Sequence, residues 1–373
     1  MPAEFDKWWD DTKKHYKRLH CWLPHAKELK TRVSNTRAFR YFTLCARSMI
    51  DVFMLAKEGV LIYDSNQDAV MHVRFCESDI EQFPEISELI GIENAGFFGE
   101  LEKLVLFQDN DFSAQYPTLE SIDDALADEG LVIEKRETLQ TKRTHLYAKG
   151  SFPYDFINLD FCGYYYPKPP DILKINRTVD KFLDWQRQYG NGEISGSKIQ
   201  VNDFLLSVTC RHDDDFPQEA EKRLAELVKA NCRTHPDYKR YLEENRRVSD
   251  LNAWIQNAKE DFFLSTWPKE ISRLAEQYQW DMEILGYVHY DRVNEENQPY
   301  KIACLVCRFT RISDDSGYLE AAICALDQSR RNFISDIGKN TPKGQELLKN
   351  LAGIVQLRNQ QAKRKRRPLL PMP

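Results

Sequence analysis

The run Phe156-Ile157-Asn158-Leu159-Asp160 decides how this chain is read. It is a short, apolar, β-prone segment. It leads through Gly163 into the turn-rich stretch Tyr164-Tyr165-Tyr166-Pro167-Lys168-Pro169-Pro170. A compact apolar run closed by turn residues reads as a buried strand. Its carboxyl end then carries Asp160 and Phe161, and Tyr164 to Tyr166 follow.

Upstream, three more runs have the same character. Tyr41-Phe42-Thr43-Leu44-Cys45-Ala46 is apolar, and Ser48 after it is placed to cap a helix. The periodic residues of that helix are Ile50, Phe53, Met54 and Lys57, and Gly59 closes it. Met71 to Cys76 is a second strand candidate, ended by Glu77, and Ile80 to Ile90 is helical in pattern. Glu102 to Phe107 is a third, ended by Asp109. Residues 110–150 are polar and weakly periodic, an insertion with some helix.

Downstream, Val179 to Tyr189 is an amphipathic helix, and Phe204 to Thr209 is a strand running to Arg211-His212. Pro217 to Tyr278 is helical in composition, with interruptions expected near Pro236 and Pro268. Met282 to Arg292 and Tyr300 to Thr310 alternate apolar and polar residues around Asn294 to Pro299, a hairpin signal. Residues 1–40 read as helix with a break at Pro24.

Strands alternating with helices predict an α/β fold. The expected form is a Rossmann-like, doubly wound, mainly parallel seven-stranded sheet with an antiparallel C-terminal hairpin and helical additions. Residues 41–312 form that domain, including the insertion 110–150 and the helical segment 217–278. A basic helical extension, 1–40, precedes it, and a helical extension with a basic tail, 313–373, follows.

With 42% hydrophobic and 29% charged residues, the 373-residue chain has the composition of a folded domain and not of a disordered one. Its longest apolar runs, such as Phe204 to Val208, fall far short of the roughly 20 residues that cross a bilayer. No membrane partner is expected. Met1 to Trp9 lacks the apolar core of a signal peptide, and nine scattered cysteines read as reduced thiols, so a cytoplasmic setting is expected.

The net charge of −6 hides a local asymmetry. Residues 1–40 hold ten basic residues against five acidic ones, interleaved with Trp8, Trp9, Tyr16 and Trp22. The other end carries Lys363-Arg364-Lys365-Arg366-Arg367, read as a solvated, flexible tail. Clustered cations attract a phosphate backbone, so nucleic acid, DNA or RNA, is the expected partner of this tail, with an acidic protein partner as the other reading.

In doubly wound sheets ligands sit beyond the carboxyl ends of strands. Those ends here offer Cys45, Ala46 and Arg47, then Glu77, Asp109, Asp160 to Gly163, and Arg211 with His212. Glu77 is placed to accept hydrogen bonds from ribose hydroxyls, and Asp109 from an adenine amino group. Asp160 is placed to hold an exocyclic amine, while Phe161 and Tyr164 to Tyr166 are flat surfaces for a base. The plainer reading is that polar residues at strand ends cap the helices that follow, as Glu77-Ser78-Asp79 would.

The order Phe42-Thr43-Leu44-Cys45, then Asp51, Phe75-Cys76-Glu77, Gly99 and Tyr154 to Gly163 resembles a divergent class I S-adenosylmethionine-dependent methyltransferase. The segment around Asp160 is similar to the Asp-Pro-Phe-Gly motif of tRNA guanine-N2 dimethyltransferases, and to three-Cys-motif partner proteins of bacterial mobile and defence elements. The resemblance spans about residues 40 to 310. It implies S-adenosylmethionine as cofactor, Glu77 on the donor's ribose and Asp160 facing the acceptor base. The first loop, beside the donor's methionine portion, is Cys45-Ala46-Arg47-Ser48 and contains no glycine, and Phe161 stands where the motif has proline. Three readings follow: a methyltransferase acting on nucleic acid, a catalytically inactive subunit of the same fold that binds a protein or nucleic-acid partner, and a nucleotide-sensing or nucleotide-cleaving α/β protein.

Other chemistry is less well supported by spacing. Cys162 reads as a buried thiol rather than a nucleophile. Cys304 and Cys307 are the only C-x-x-C pair, and positions three apart on a strand face opposite ways. His20, Cys21 and His25 lie on a basic segment, and Asp213-Asp214-Asp215 reads as a helix cap. No metal site is expected, and no phosphate-binding glycine loop or serine elbow is present.

Overall fold

A computed structural model describes residues 12–33, 39–45, 50–61, 72–75, 153–166, 175–188, 193–194, 197–198, 201–212, 217–293, 299–312, 332–333 and 341–365. It is an α/β chain with a mixed, open sheet. The chain divides into two compact units, 1–158 with 334–373, and 159–333.

The first unit opens with α1 (Thr12–Tyr16), a π turn (Lys17–Trp22) and α2 (Leu23–Val33). The break expected at Pro24 does not end the helix. Proline lacks an N–H and crowds the carbonyl four residues back. The chain answers with a widened turn, in which the Leu23 N–H reaches back to the Arg18 carbonyl. Next come β1 (Tyr41–Cys45), α3 (Ile50–Lys57) and β2 (His72–Phe75). Gly59, at φ +72°, closes α3, with the Val60 N–H donating to the Leu55 carbonyl at 2.8 Å.

β1 pairs in parallel with β2 on one side and with the first residues of β3 (Phe156–Tyr164) on the other. Trp22 and Tyr41 pack on Phe156, with ring centroids 5.1 and 5.0 Å away. The C-terminal helix, here α9 (Pro342–Lys365), packs on α1 and α3 and buries Leu347, Leu351 and Ile354. Lys363, Arg364 and Lys365 therefore end a helix, contrary to the expected unstructured tail; Arg366 and Arg367 lie outside the described residues.

The second unit holds the rest of β3, α4 (Ile175–Gln188), a small hairpin β4 (Glu193–Ile194) and β5 (Ser197–Lys198), and β6 (Asp203–His212). Four helices follow: α5 (Gln218–Thr234), α6 (Pro236–Asn245), α7 (Leu251–Asn257) and α8 (Lys259–Gln277). The chain then forms β7 (Trp280–Val293), β8 (Pro299–Arg311) and β9 (Asn332–Phe333). Strand order here is β3-β6-β8-β7-β9. β8 runs antiparallel to both β6 and β7, and β7 is parallel to β9. The expected antiparallel C-terminal hairpin is present and makes the sheet mixed, with its second strand, β8, inserted antiparallel between β6 and β7. The expected strand at 102–107 and the insertion 110–150 lie outside the described residues, so the seven-strand roster of the expectation is not shown.

Phe204 to Cys210 are all buried, as are Ile302 to Cys307. Such unbroken runs mark strands covered on both faces. Phe204 stacks on Phe309 at 5.0 Å and meets Trp280 edge-on at 5.0 Å. The break between α5 and α6 falls at His235, next to Pro236 as expected. Pro268, by contrast, sits inside α8. Its missing N–H leaves the Leu264 carbonyl without a helical donor, and the Tyr287 hydroxyl on β7 supplies one at 2.7 Å.

Candidate functional site

In the first unit β1 sits between two parallel neighbours, and the chain moves from one side of it to the other between β2 and β3. This reversal is the kind of switch point beyond whose strand ends α/β proteins bind ligands. A buried polar cluster lies close by. Thr43 and Asn158 are register partners, and the Asn158 amide donates to Asp51 Oδ2 at 3.1 Å. The same amide lies 3.2 Å from the Tyr41 hydroxyl and 3.3 Å from Thr43 Oγ1.

Arg18, on the π turn, donates through Nε to Asp51 Oδ1. The pair is buried, so each charge depends on the other to offset its lost hydration. The Asn158 amide oxygen is buried with no hydrogen-bond partner. The cluster therefore combines neutralised charge with one acceptor in need of a donor.

The residues singled out from sequence are distributed as follows. Cys45 is the last residue of β1. Ala46, Glu77 and Asp109 lie outside the described residues, as does Asp213-Asp214-Asp215. Asp160 lies within β3, because the strand runs on to Tyr164 and does not stop at the aspartate. Asp160 and Tyr164 are half-buried, and Phe161 and Cys162 belong to the same strand.

Tyr165 and Tyr166, expected to grip a base, are instead core residues, 1% and 4% exposed. Tyr165 packs edge-on against Trp267 at 5.5 Å, and Tyr166 against Phe263 at 6.2 Å. The helix α8 covers them with Phe263, Trp267 and Glu270, spaced to share one face. Burial pushes the Glu270 carboxyl up to about 8, although the Arg223 guanidinium reaches its Oε1. Burial also raises the Cys210 and Cys307 thiols, which leaves them poor nucleophiles.

Sequence reading missed two groupings. Arg18, Asp51 and Asn158 are far apart in the chain, and only the pairing of β1 with β3 brings Asn158 to Asp51. His212, Glu260 and His289 likewise come from a strand end, a helix start and a hairpin strand. The one hint was His212 at the end of its strand. No described helix is long and apolar enough to cross a membrane.

No family model, no curated protein and no solved structure matches this chain.

Proposed function

We propose that this chain is a class I methyltransferase-like protein that binds S-adenosylmethionine and acts on nucleic acid. The observation that carries the reading is the parallel placement of β1 between β2 and β3, with Cys45 at its carboxyl end. The antiparallel closing hairpin β7–β8 adds support, since the resemblance calls for one.

In this reading Cys45 and Ala46 run beside the methionine portion of the donor, Glu77 accepts from its ribose hydroxyls and Asp109 from its adenine. Methyl transfer asks little of acid–base chemistry, because the sulfonium is already activated. The acceptor nitrogen's lone pair forms the new bond to the methyl carbon. The carbon–sulfur bond breaks towards sulfur, leaving S-adenosylhomocysteine. Asp160 orients the acceptor amine and takes its surplus proton late, and Phe161 and Tyr164 flank the base. Rate comes chiefly from alignment. The cations from Lys363 to Arg367 draw in the phosphate backbone. A second reading rests on the glycine-free loop Cys45-Ala46-Arg47-Ser48: a catalytically inactive subunit of this fold that binds a protein or nucleic-acid partner. Either belongs to a bacterial mobile or defence element only by the family resembled.

Calorimetric titration with S-adenosylmethionine and S-adenosylhomocysteine separates the two. The enzyme reading expects micromolar binding that Glu77→Ala abolishes, and Asp160→Ala to stop methyl transfer while leaving donor binding in place. No heat and no thermal shift at millimolar ligand would leave the partner-binding reading.

A further inference from the structure

We propose that His212, Glu260 and His289 form a binding site for a divalent first-row transition-metal ion, with Zn2+ the ion whose chemistry the donors suit. The three side chains each offer one ligand atom, and these atoms all lie within 4.8 Å of one another. Donors placed about 2.0–2.2 Å from a shared ion are roughly 3–4 Å apart, so small side-chain rotations close the set. Two imidazoles and one carboxylate are a borderline-soft set, suited to zinc and its neighbours rather than to Ca2+ or Mg2+. Three protein ligands also leave a coordination position for water or a substrate atom.

The sheet brings the histidines together. Across the ladder, His212 of β6 pairs with Lys301 of β8, and His289 of β7 pairs with Ala303 of β8. Directly opposed residues share a face. Lys301 and Ala303, two apart on β8, point the same way. The histidines are thus diagonal neighbours on one face, and the small Ala303 side chain between them leaves room. Glu260, in the first turn of α8, meets them there. A bulge between Ile284 and Gly286 sets the register; without it Val288, not His289, would face Ala303.

His212 is the second, independent observation. It is 3% exposed, and neither of its ring nitrogens has a hydrogen-bond partner. Leaving such a group unsatisfied is costly, and a coordinated ion would satisfy one of the two nitrogens. Its ring stacks on Phe263 at 5.5 Å and 10°, which fixes its plane. Burial, with lesser contributions from His289 and Lys301, holds its pKa down to about 3, so the imidazole is in its neutral, ligating form. His289 is likewise lowered, chiefly by burial. Lys301 Nζ sits 2.5 Å from Glu260 Oε2 and occupies the carboxylate as a cation would. An entering ion must displace that ammonium.

The test uses the full-length, untagged chain stripped with chelator. It is titrated with Zn2+ by calorimetry and with Co2+ by visible absorption. One ion per chain should bind with a micromolar or tighter Kd, and Co2+ should develop ligand-field bands. Losing an outer partner of a metal ligand weakens binding about 10–100-fold, so Glu260→Gln and His289→Ala should each weaken it at least about 100-fold. Both side chains are half-buried, and circular dichroism checks that the variants fold. Lys301→Met should bind more tightly than the native chain, because the Lys301 ammonium no longer competes for Glu260. Absence of saturable Zn2+ binding, or equal affinity in the native chain and both ligand variants, overturns the site.

Discussion

Asp51 is held by two partners of different kinds: the Arg18 guanidinium takes one carboxylate oxygen and the Asn158 amide the other. Removing the charge while keeping the shape isolates what the pair does. Asp51→Asn removes the carboxylate that the buried Arg18 Nε donates to, which should destabilise the fold by about 3–5 kcal/mol in chemical denaturation. Replacing both partners together, Arg18→Met with Asp51→Leu, should recover much of that loss, since both charges of the pair are then gone. Equal losses in the single and double variants would mean that the cation contributes through its packing.

At the scale of elements, two prolines have opposite consequences for the same reason. Pro24 lies near the start of α2, and the helix absorbs it by widening the preceding turn. Pro268 lies in mid-helix, and α8 absorbs it because β7 supplies the Tyr287 hydroxyl to the abandoned Leu264 carbonyl. Tyr287→Phe should therefore cost about 1–3 kcal/mol through an unsatisfied buried carbonyl. Pro268→Ala restores an N–H at the helical position, so it should stabilise the Tyr287→Phe variant more than the native protein. Strict additivity of the two changes in a double-mutant cycle would show that the tyrosine does not serve this carbonyl.

For the molecule as a whole, buried titratable groups set opposing pH trends. Burial holds His212 down to about 3 and His15 to about 4, from an ordinary 6.5. Below pH 6.5 the unfolded chain binds protons that these folded imidazoles refuse, so stability is lost as pH falls. Glu270 is raised from 4.5 to about 8. Between those values the folded chain keeps a proton that the unfolded chain has released, so stability is lost as pH rises. From 4.5 to 6.5 the histidines outweigh the glutamate, and above 6.5 the glutamate acts without them. Thermal stability should peak near pH 6.5 and fall by about 1 kcal/mol towards pH 8, at about 1.4 kcal/mol per proton per pH unit. Glu270→Gln should flatten the alkaline fall in scanning calorimetry; an unchanged fall would assign it to another group.

Strand and helix positions were largely legible along the chain, because period and punctuation are local. Tyr41 to Cys45, His72 to Phe75 and the hairpin pair needed only a reading of alternation and turn residues, and Gly59 announced the end of α3. Four things were not legible. Alternation does not say which neighbour a strand will choose, so the place of β8 between β6 and β7 emerged only from pairing. A proline's effect depends on whether a distant hydroxyl reaches the carbonyl it strands. Tyr165 and Tyr166 look like loop aromatics until α8 covers them. The His212–Glu260–His289 grouping depends on a one-residue bulge in β7 that no local pattern marks. Sequence by itself determined the elements and their apolar faces, since those follow from backbone period and burial. Tertiary structure decided which polar groups meet, because hydrogen bonds and ligand sets join residues that only the fold makes neighbours.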